Sequence, residues 1–256
     1  MRELPPHDVV GQGPTMLFIH GTGADATAWT SVQQVLGQRY RTVAYDRRAH
    51  SRNRTPYPGK EVAEAAHVED AATLIEHFGG PATVVGWSRG GLVGIELALR
   101  RPELVDRLIL FEPPLHAPRS SDKRMLLSLV GAMALSALGR KQAAARMFFR
   151  MATMSDDGND FDRLPDDVRA RALGNAGAIL GELKIGTLEN RDAAALKSLK
   201  VPVSILVGTR SAPLYHRAAR FIVESTGAKM TTIEGAGHLA PFDASGPLAA
   251  AIASCA

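Results

Sequence analysis

Apolar residues in this chain follow two rhythms. Short, nearly unbroken runs occur at Thr15 to Ile19, Arg41 to Tyr45, Ala82 to Val85, Val105 to Phe111, Val201 to Val207 and Lys229 to Glu234. Such runs suit strands buried on both faces of a parallel sheet, where neither face needs polar side chains. A brief opening strand is expected around Val9 and Val10. Between the runs, apolar residues return at helical spacing. Helices are expected at Trp29 to Leu36, with Thr27 as candidate N-cap, at Val62 to Phe78, at Leu92 to Arg101 before Pro102, at Leu214 to about Glu224, and at Pro247 to Ala256. In the second of these, Ala66, Val68, Ala71, Ala72, Ile75 and Phe78 mark the inner stripe. Strand–helix alternation of this kind predicts right-handed crossovers and a doubly wound α/β sheet, mostly parallel, with helices on both faces.

The rhythm changes between Leu115 and Lys200. No strand is expected there. Lys123–Leu138, Lys141–Met154, Pro165–Leu183 and roughly Ile185–Leu199 read as helices, broken by an acidic loop from Ser155 to Asp162. Pro165 followed by Asp166 and Asp167 suits the first turn of a helix. The organisation predicted is a single structural domain, with a core from 1–114 and 201–256 and a helical lid over 115–200. Met125, Met133, Met147, Met151 and Met154 fall in the lid, where core filling is favoured over an adaptable pocket lining.

Composition narrows the classes. A chain of 256 residues can bury a full core and commonly forms one domain in α/β folds. Its 45% hydrophobic and 22% charged residues are ordinary for a globular protein. The net charge of +4 is spread along the chain with no basic block interleaved with aromatics, so nucleic-acid binding has no support. The one cysteine, Cys255, excludes a disulfide framework and a thiolate metal site. The first residues lack an apolar signal core. The longest apolar stretch, Met125 to Leu138, is broken by Ser128, Gly131 and Ser136 and falls short of the ~20 residues a membrane span needs. The expectation is a cytoplasmic monomer or homodimer that acts on a small molecule, with no nucleic-acid or membrane partner.

The chemistry centres on Gly86-Trp87-Ser88-Arg89-Gly90, which has a strand pattern before it and a helix pattern after it. That context is what a nucleophile elbow requires. Glycines at 86 and 90 remove Cβ atoms that would clash where strand and helix approach around a strained turn. A serine hydroxyl needs a base, an acid to orient the base, and donors for the oxyanion. His238, in the Gly-rich loop after the last strand, is the candidate base, because loops at the carboxyl ends of parallel strands share one crevice. His20 reads as a structural hydrogen-bonding residue, and His50 as a loop residue near substrate. His7, His67, His77, His116 and His216 read as solvated or locally satisfied. The candidate oxyanion donors are the backbone amides of Thr22 and Arg89, with Gly21 and Gly23 letting the loop turn its amides inward. Two readings of the Arg89 side chain stand: contact with an anionic or carbonyl-bearing substrate, or a salt bridge. Gly21 and Trp87 are candidate substrate-binding residues, Trp87 reading first as packing.

With His20-Gly21-Thr22-Gly23, Asp46-Arg47-Arg48, Gly86–Gly90 and Gly237-His238 in order, the chain resembles the α/β-hydrolase fold superfamily. The likeness covers nearly everything outside 115–200. It implies that fold, with the helical lid after the family's strand 6, here Val105 to Phe111. In one respect the chain departs from the pattern. Most members carry the acid after the strand that here ends at Val207, but Gly208-Thr209-Arg210-Ser211-Ala212-Pro213 holds no carboxylate. Some members carry it one strand earlier, where this chain has Glu112 before Pro113-Pro114; Asp46 and Asp243 are the weaker substitutes. The resemblance implies a serine hydrolase acting on a carboxylic ester or lactone, with Ser88, His238 and Glu112 as triad and no metal or organic cofactor. Carbon–carbon bond hydrolysis, cofactor-free perhydrolysis and low-turnover ligand binding are the alternatives. The lack of an Asp at position 88 argues against epoxide hydrolase and dehalogenase chemistry.

Overall fold

The computed structural model describes residues 3–56, 63–115, 123–155, 158–185 and 192–256. Its strands are β1 (His7–Val10), β2 (Thr15–Ile19), β3 (Arg41–Tyr45), β4 (Ala82–Trp87), β5 (Val105–Phe111), β6 (Met154–Ser155), β7 (Gly158–Asn159), β8 (Val203–Gly208) and β9 (Lys229–Ile233). Seven form one sheet in the order β1-β3-β2-β4-β5-β8-β9. Only β1 runs antiparallel, pairing His7 with Tyr45 at the sheet edge; every other pairing is parallel. The fold is the mostly parallel α/β sheet that the strand–helix alternation predicts.

The unbroken apolar runs are explained by alternation across the sheet. Leu17, Ile19, Val84, Leu108, Leu110, Ile205 and Val207 point to one face, under α2 (Ala63–His77), α3 (Arg89–Arg100) and α9 (Pro213–Thr226). Met16, Phe18, Val85, Ile109, Phe111 and Leu206 point to the other, under α1 (Thr30–Leu36) and α11 (Ser245–Cys255). Nearly all of these side chains are fully buried, so a polar residue at any of them would lose its water without a partner. No helix among the described residues is long and apolar enough to cross a membrane.

Between β5 and β8 lies the helical insertion: α4 (Lys123–Ala137), α5 (Lys141–Ala152), α6 (Asp166–Gly174), α7 (Ala176–Ile185) and α8 (Ala193–Lys197). Four local expectations are corrected. The Pro165–Leu183 stretch is two helices, because Asn175 interrupts it and spends its side chain on the Ser51 amide at 2.8 Å and the Gly23 carbonyl at 3.0 Å. The acidic loop contains a small antiparallel hairpin, β6 with β7, whose residues 156–157 lie outside the described set. The stretch expected as a helix from Ile185 to Leu199 is helical at Ala193–Lys197, capped by Asp192, with 186–191 outside the described residues. Before α1, Asp25 rather than Thr27 caps the turn: its carboxylate accepts the Thr27 amide at 3.0 Å and starts a 3-10 turn at Ala26. Of the insertion's methionines, Met133 and Met154 are exposed, and Met147 packs its sulfur on Gly131. The side chain of Met125 and all of His116 lie outside the described residues.

The β4–α3 turn depends on close backbone approach. A Cβ at Gly86 would lie 2.6 Å from the Gly90 carbonyl oxygen, and one at Gly90 would be driven into the Ile19 carbonyl. Neither neighbour is a side chain that can swing away. Gly177, exposed on α7 with open space around it, is the contrasting case. Gly90→Ala is expected to lower the unfolding free energy by about 3 kcal/mol through forced backbone displacement, and Gly177→Ala to raise it by about 0.5–1 kcal/mol through helix propensity. Urea midpoints of the two variants check both; equal shifts would contradict the packing argument.

Candidate active site

Ser88 follows β4 directly, with φ 52° and ψ −123°, a conformation that L residues rarely adopt. Its amide donates to the Phe111 carbonyl at 2.9 Å, which ties the turn to the end of β5. The residue that follows β5, Glu112, also has positive φ, at 51°. Two strained non-glycine residues therefore sit side by side at the carboxyl ends of adjacent central strands. Gly21 abuts the turn, since a Cβ there would lie 3.1 Å from the Cβ of Ser88.

Glu112 is fully buried and uses both carboxylate oxygens. Oε1 accepts the Gly208 amide at 2.8 Å, and Oε2 lies 2.6 Å from Nδ1 of His238. Gly208, the last residue of β8, thus supplies an N–H to a carboxylate that arrives from the end of β5, and the loop beyond it holds no carboxylate of its own. Asp46 accepts the amides of Ala26 and Arg52 and pairs with the Arg52 side chain, so it holds its own loop. Asp243 lies in α10 (Ala240–Asp243), where burial and then the nearby Asp160 raise its pKa.

Around His238 the surroundings are aromatic. Tyr215 stacks on the imidazole with ring centroids 4.0 Å apart and planes at 10°. Phe111 lies 6.4 Å away at 24°. Trp87 is buried, and its indole N–H donates to the His238 carbonyl at 2.9 Å. Through that bond Trp87 supports the histidine loop.

The loop His20–Gly23 is shaped by Arg47, whose side chain is entirely buried. Its Nε donates to the His20 carbonyl at 3.1 Å, its Nη2 to the Gly21 carbonyl at 3.2 Å, and its Nη1 pairs with Glu182 Oε1 of α7 at 2.7 Å. The Gly23 carbonyl is taken by Asn175. With its carbonyls held by these partners and the Gly23 amide given to His50, the loop is fixed beside the Ser88 turn. Arg89 opens α3, where a first-turn amide has no helical acceptor. Its side chain is buried within electrostatic reach of Glu182 and His67.

Three histidines surround this hub, all buried. His20 donates from Nδ1 to the Gly21 carbonyl at 2.8 Å and accepts the Arg47 amide at Nε2 at 3.0 Å, so a neutral ring satisfies both bonds. His50 accepts the Gly23 amide at Nε2, 3.3 Å away, and is fully buried against that loop. His67 is buried on α2 rather than solvated. Burial first, and then the Arg47 charge, push all three pKa values down, that of His50 to about 4. Burial alone would raise the Glu182 carboxyl, but Arg47, His50, Arg89 and a hydrogen bond from Thr22 hold it well below the usual carboxylate range.

Glu182, Asn175 and Tyr215 were not singled out in the sequence, and Arg47 only within the motif Asp46-Arg47-Arg48. Glu182 left a signal, being the lone acid in the apolar run Ala176-Gly177-Ala178-Ile179-Leu180-Gly181, Leu183. A charge on a helix of that kind needs a buried partner. Nothing local distinguishes Arg47 from its neighbour Arg48, which pairs with Asp70 near the surface.

Residues 16–251 match the alpha/beta hydrolase family, and the chain belongs to it. An uncharacterized protein of Mycobacterium tuberculosis is 28% identical over 255 residues, 91% of this chain and 72% of that one. A pimeloyl-[acyl-carrier protein] methyl ester esterase of Vibrio cholerae is 26% identical over 204 residues, 78% of this chain and 77% of its own. Among solved structures, a thermophilic esterase from Thermogutta terrifontis superposes with a TM-score of 0.76 at 20% identity, over 97% of this chain and 91% of that one, a likeness of fold.

The buried neutral histidines make stability depend on pH. Their folded pKa values lie below the ordinary 6.5, so below that pH the unfolded chain binds protons that the folded chain refuses. Stability is therefore fully present above about pH 6.5 and declines as the pH falls, each histidine adding about 1.4 kcal/mol per pH unit to the slope. Urea midpoints between neutral pH and pH 5 are expected to drop steeply. His50→Gln, which cannot take up a proton, is expected to flatten that slope by about one histidine's share; an unchanged slope would mean that His50 is already protonated in the fold.

Proposed function

We propose that this protein is a serine hydrolase that cleaves a carboxylic ester or lactone of a small to medium hydrophobic substrate through an acyl-enzyme intermediate. The observation that carries the reading is the 2.6 Å contact of Glu112 with His238 Nδ1, beside a serine held in a strained turn. Ser88 Oγ attacks the substrate carbonyl while His238 Nε2 takes its proton. Glu112 fixes the Nδ1–H tautomer and favours the imidazolium that forms. The amides of Thr22 and Arg89 receive the oxyanion. His238 then protonates the departing alkoxide, and water activated by the same base releases the acid and restores Ser88. The relative from Vibrio cholerae, named for methyl ester cleavage, supports an ester as the bond broken. A hydrophobic substrate is supported by the insertion, whose Phe149 and Ile179 meet Gly23 directly and whose Phe149 stacks on Phe161 at 4.5 Å. In this reading the insertion is a lid over the crevice, and the working form is a cytoplasmic monomer or homodimer.

Intact-mass labelling with a fluorophosphonate is expected to give one adduct on the wild type and none on Ser88→Ala. A folded wild type that takes no adduct would favour a ligand-binding protein instead. A panel of p-nitrophenyl esters and lactones, run with and without peroxide, separates hydrolysis from perhydrolysis. With an ester so identified, Glu112→Gln is expected to lower kcat by on the order of 10²- to 10⁴-fold with the fold intact. A variant that retains wild-type kcat would assign the acid elsewhere.

A further inference from the structure

Glu112 fixes only one edge of the His238 imidazole. A ring held by a single hydrogen bond at Nδ1 can still pivot about that bond and carry Nε2 away from the serine. Three observations bear on what prevents this. Tyr215 lies face to face with the imidazole at 4.0 Å and 10°, while Phe111 lies at a similar tilt but 6.4 Å away. Tyr215 is itself buried, at 3% exposure. Its hydroxyl donates to the Ala152 carbonyl at 2.8 Å, at the last residue of α5 in the insertion, where a helix leaves its final carbonyls without helical partners.

We propose that Tyr215 is a positioning residue for His238: its ring holds the imidazole face so that Nε2 stays aimed at Ser88, and its hydroxyl lets the seated insertion fix that ring. The proposal rests on the serine hydrolase reading given above. The ring contributes in a second way. An aromatic face attracts a cation, so it favours the imidazolium formed when Ser88 is deprotonated. Among the described residues the titratable groups around His238 are Glu112 from the end of β5, Tyr215 from α9, Asp160 from the insertion against Gly237, and Asp243 from α10, with Arg210 beside Asp160. Tyr215 is the one among them that lies across the imidazole face.

The test uses the full chain with p-nitrophenyl butyrate and a fluorophosphonate, comparing wild type, Tyr215→Phe and Tyr215→Leu. Tyr215→Leu is expected to lower kcat by on the order of 10- to 100-fold with KM changed by less than about 3-fold, since a misaimed base costs the chemical step and not binding. The acid limb of its kcat/KM profile is expected to move to lower pH. Tyr215→Phe keeps the ring and is expected to retain kcat within about 5-fold with the acid limb in place. In parallel, NMR of the histidine Cε1–H signals, with His238→Gln for assignment, is expected to show the ring-current shift of His238 in wild type and Phe but not in Leu. The proposal is overturned if a folded Leu variant keeps wild-type kcat and acid limb, or if Phe loses as much as Leu. If the wild type neither labels nor turns over, the hydrolase reading fails by itself, and the His238 signal still decides whether Tyr215 holds the imidazole.

Discussion

A guanidinium with no exposure to water governs the architecture around the crevice. Burying the Arg47 charge costs several kcal/mol unless partners replace its hydration, and here two loop carbonyls and one carboxylate do so. The partners are far apart in sequence. The carbonyls belong to the loop after β2 and the carboxylate to a helix of the insertion, so satisfying one side chain fixes the position of both. The three neutral histidines follow from the same constraint. Beside a buried cation a second positive charge is penalised, and a neutral imidazole can both donate and accept, which is what His20 does between Gly21 and the Arg47 amide. Polar groups that look dispersed along the chain are thus one interlocked set.

The second constraint is conformational. Ser88 and Glu112 both sit at positive φ without being glycine, each costing of order 1–3 kcal/mol. They are neighbours across β4 and β5, joined by the bond from the Ser88 amide to the Phe111 carbonyl. Surrounding structure holds them there: close glycine packing beneath Ser88, and the Gly208 amide on Glu112. Strain kept at two adjacent strand ends, one of them carrying the carboxylate that meets His238, is placed where chemistry would use it.

Much of this was legible in the sequence because it depends on local pattern. Continuous apolar runs gave the strands, and the glycine spacing around Ser88 gave the turn, since both reflect contacts within a few residues or a single sheet. Glu112 was reachable because its position at a strand end is itself a local fact. Asn175 was not. It reads as one more polar position in a helix, and only the distant Ser51 and Gly23 explain why the helix stops there. The burial of His50 and His67 was not legible for a related reason: burial by chain from elsewhere leaves no periodic trace. Arg47 and Tyr215 act through partners 135 and 63 positions away, which spacing rules do not reach.

The route by which the carboxylate reaches His238 has a consequence for how such a site can change. Glu112 projects from the end of a central strand and is clamped by an amide of the neighbouring strand, β8. The loop after β8 is left to meet the insertion, through Arg210 with Asp160 and the bridge between Ser211 and Ser155. Orientation of the His238 imidazole and attachment of the insertion are therefore assigned to separate pieces of chain. Loop and insertion can drift in length and composition while the Glu112–His238 contact stays anchored in the buried sheet.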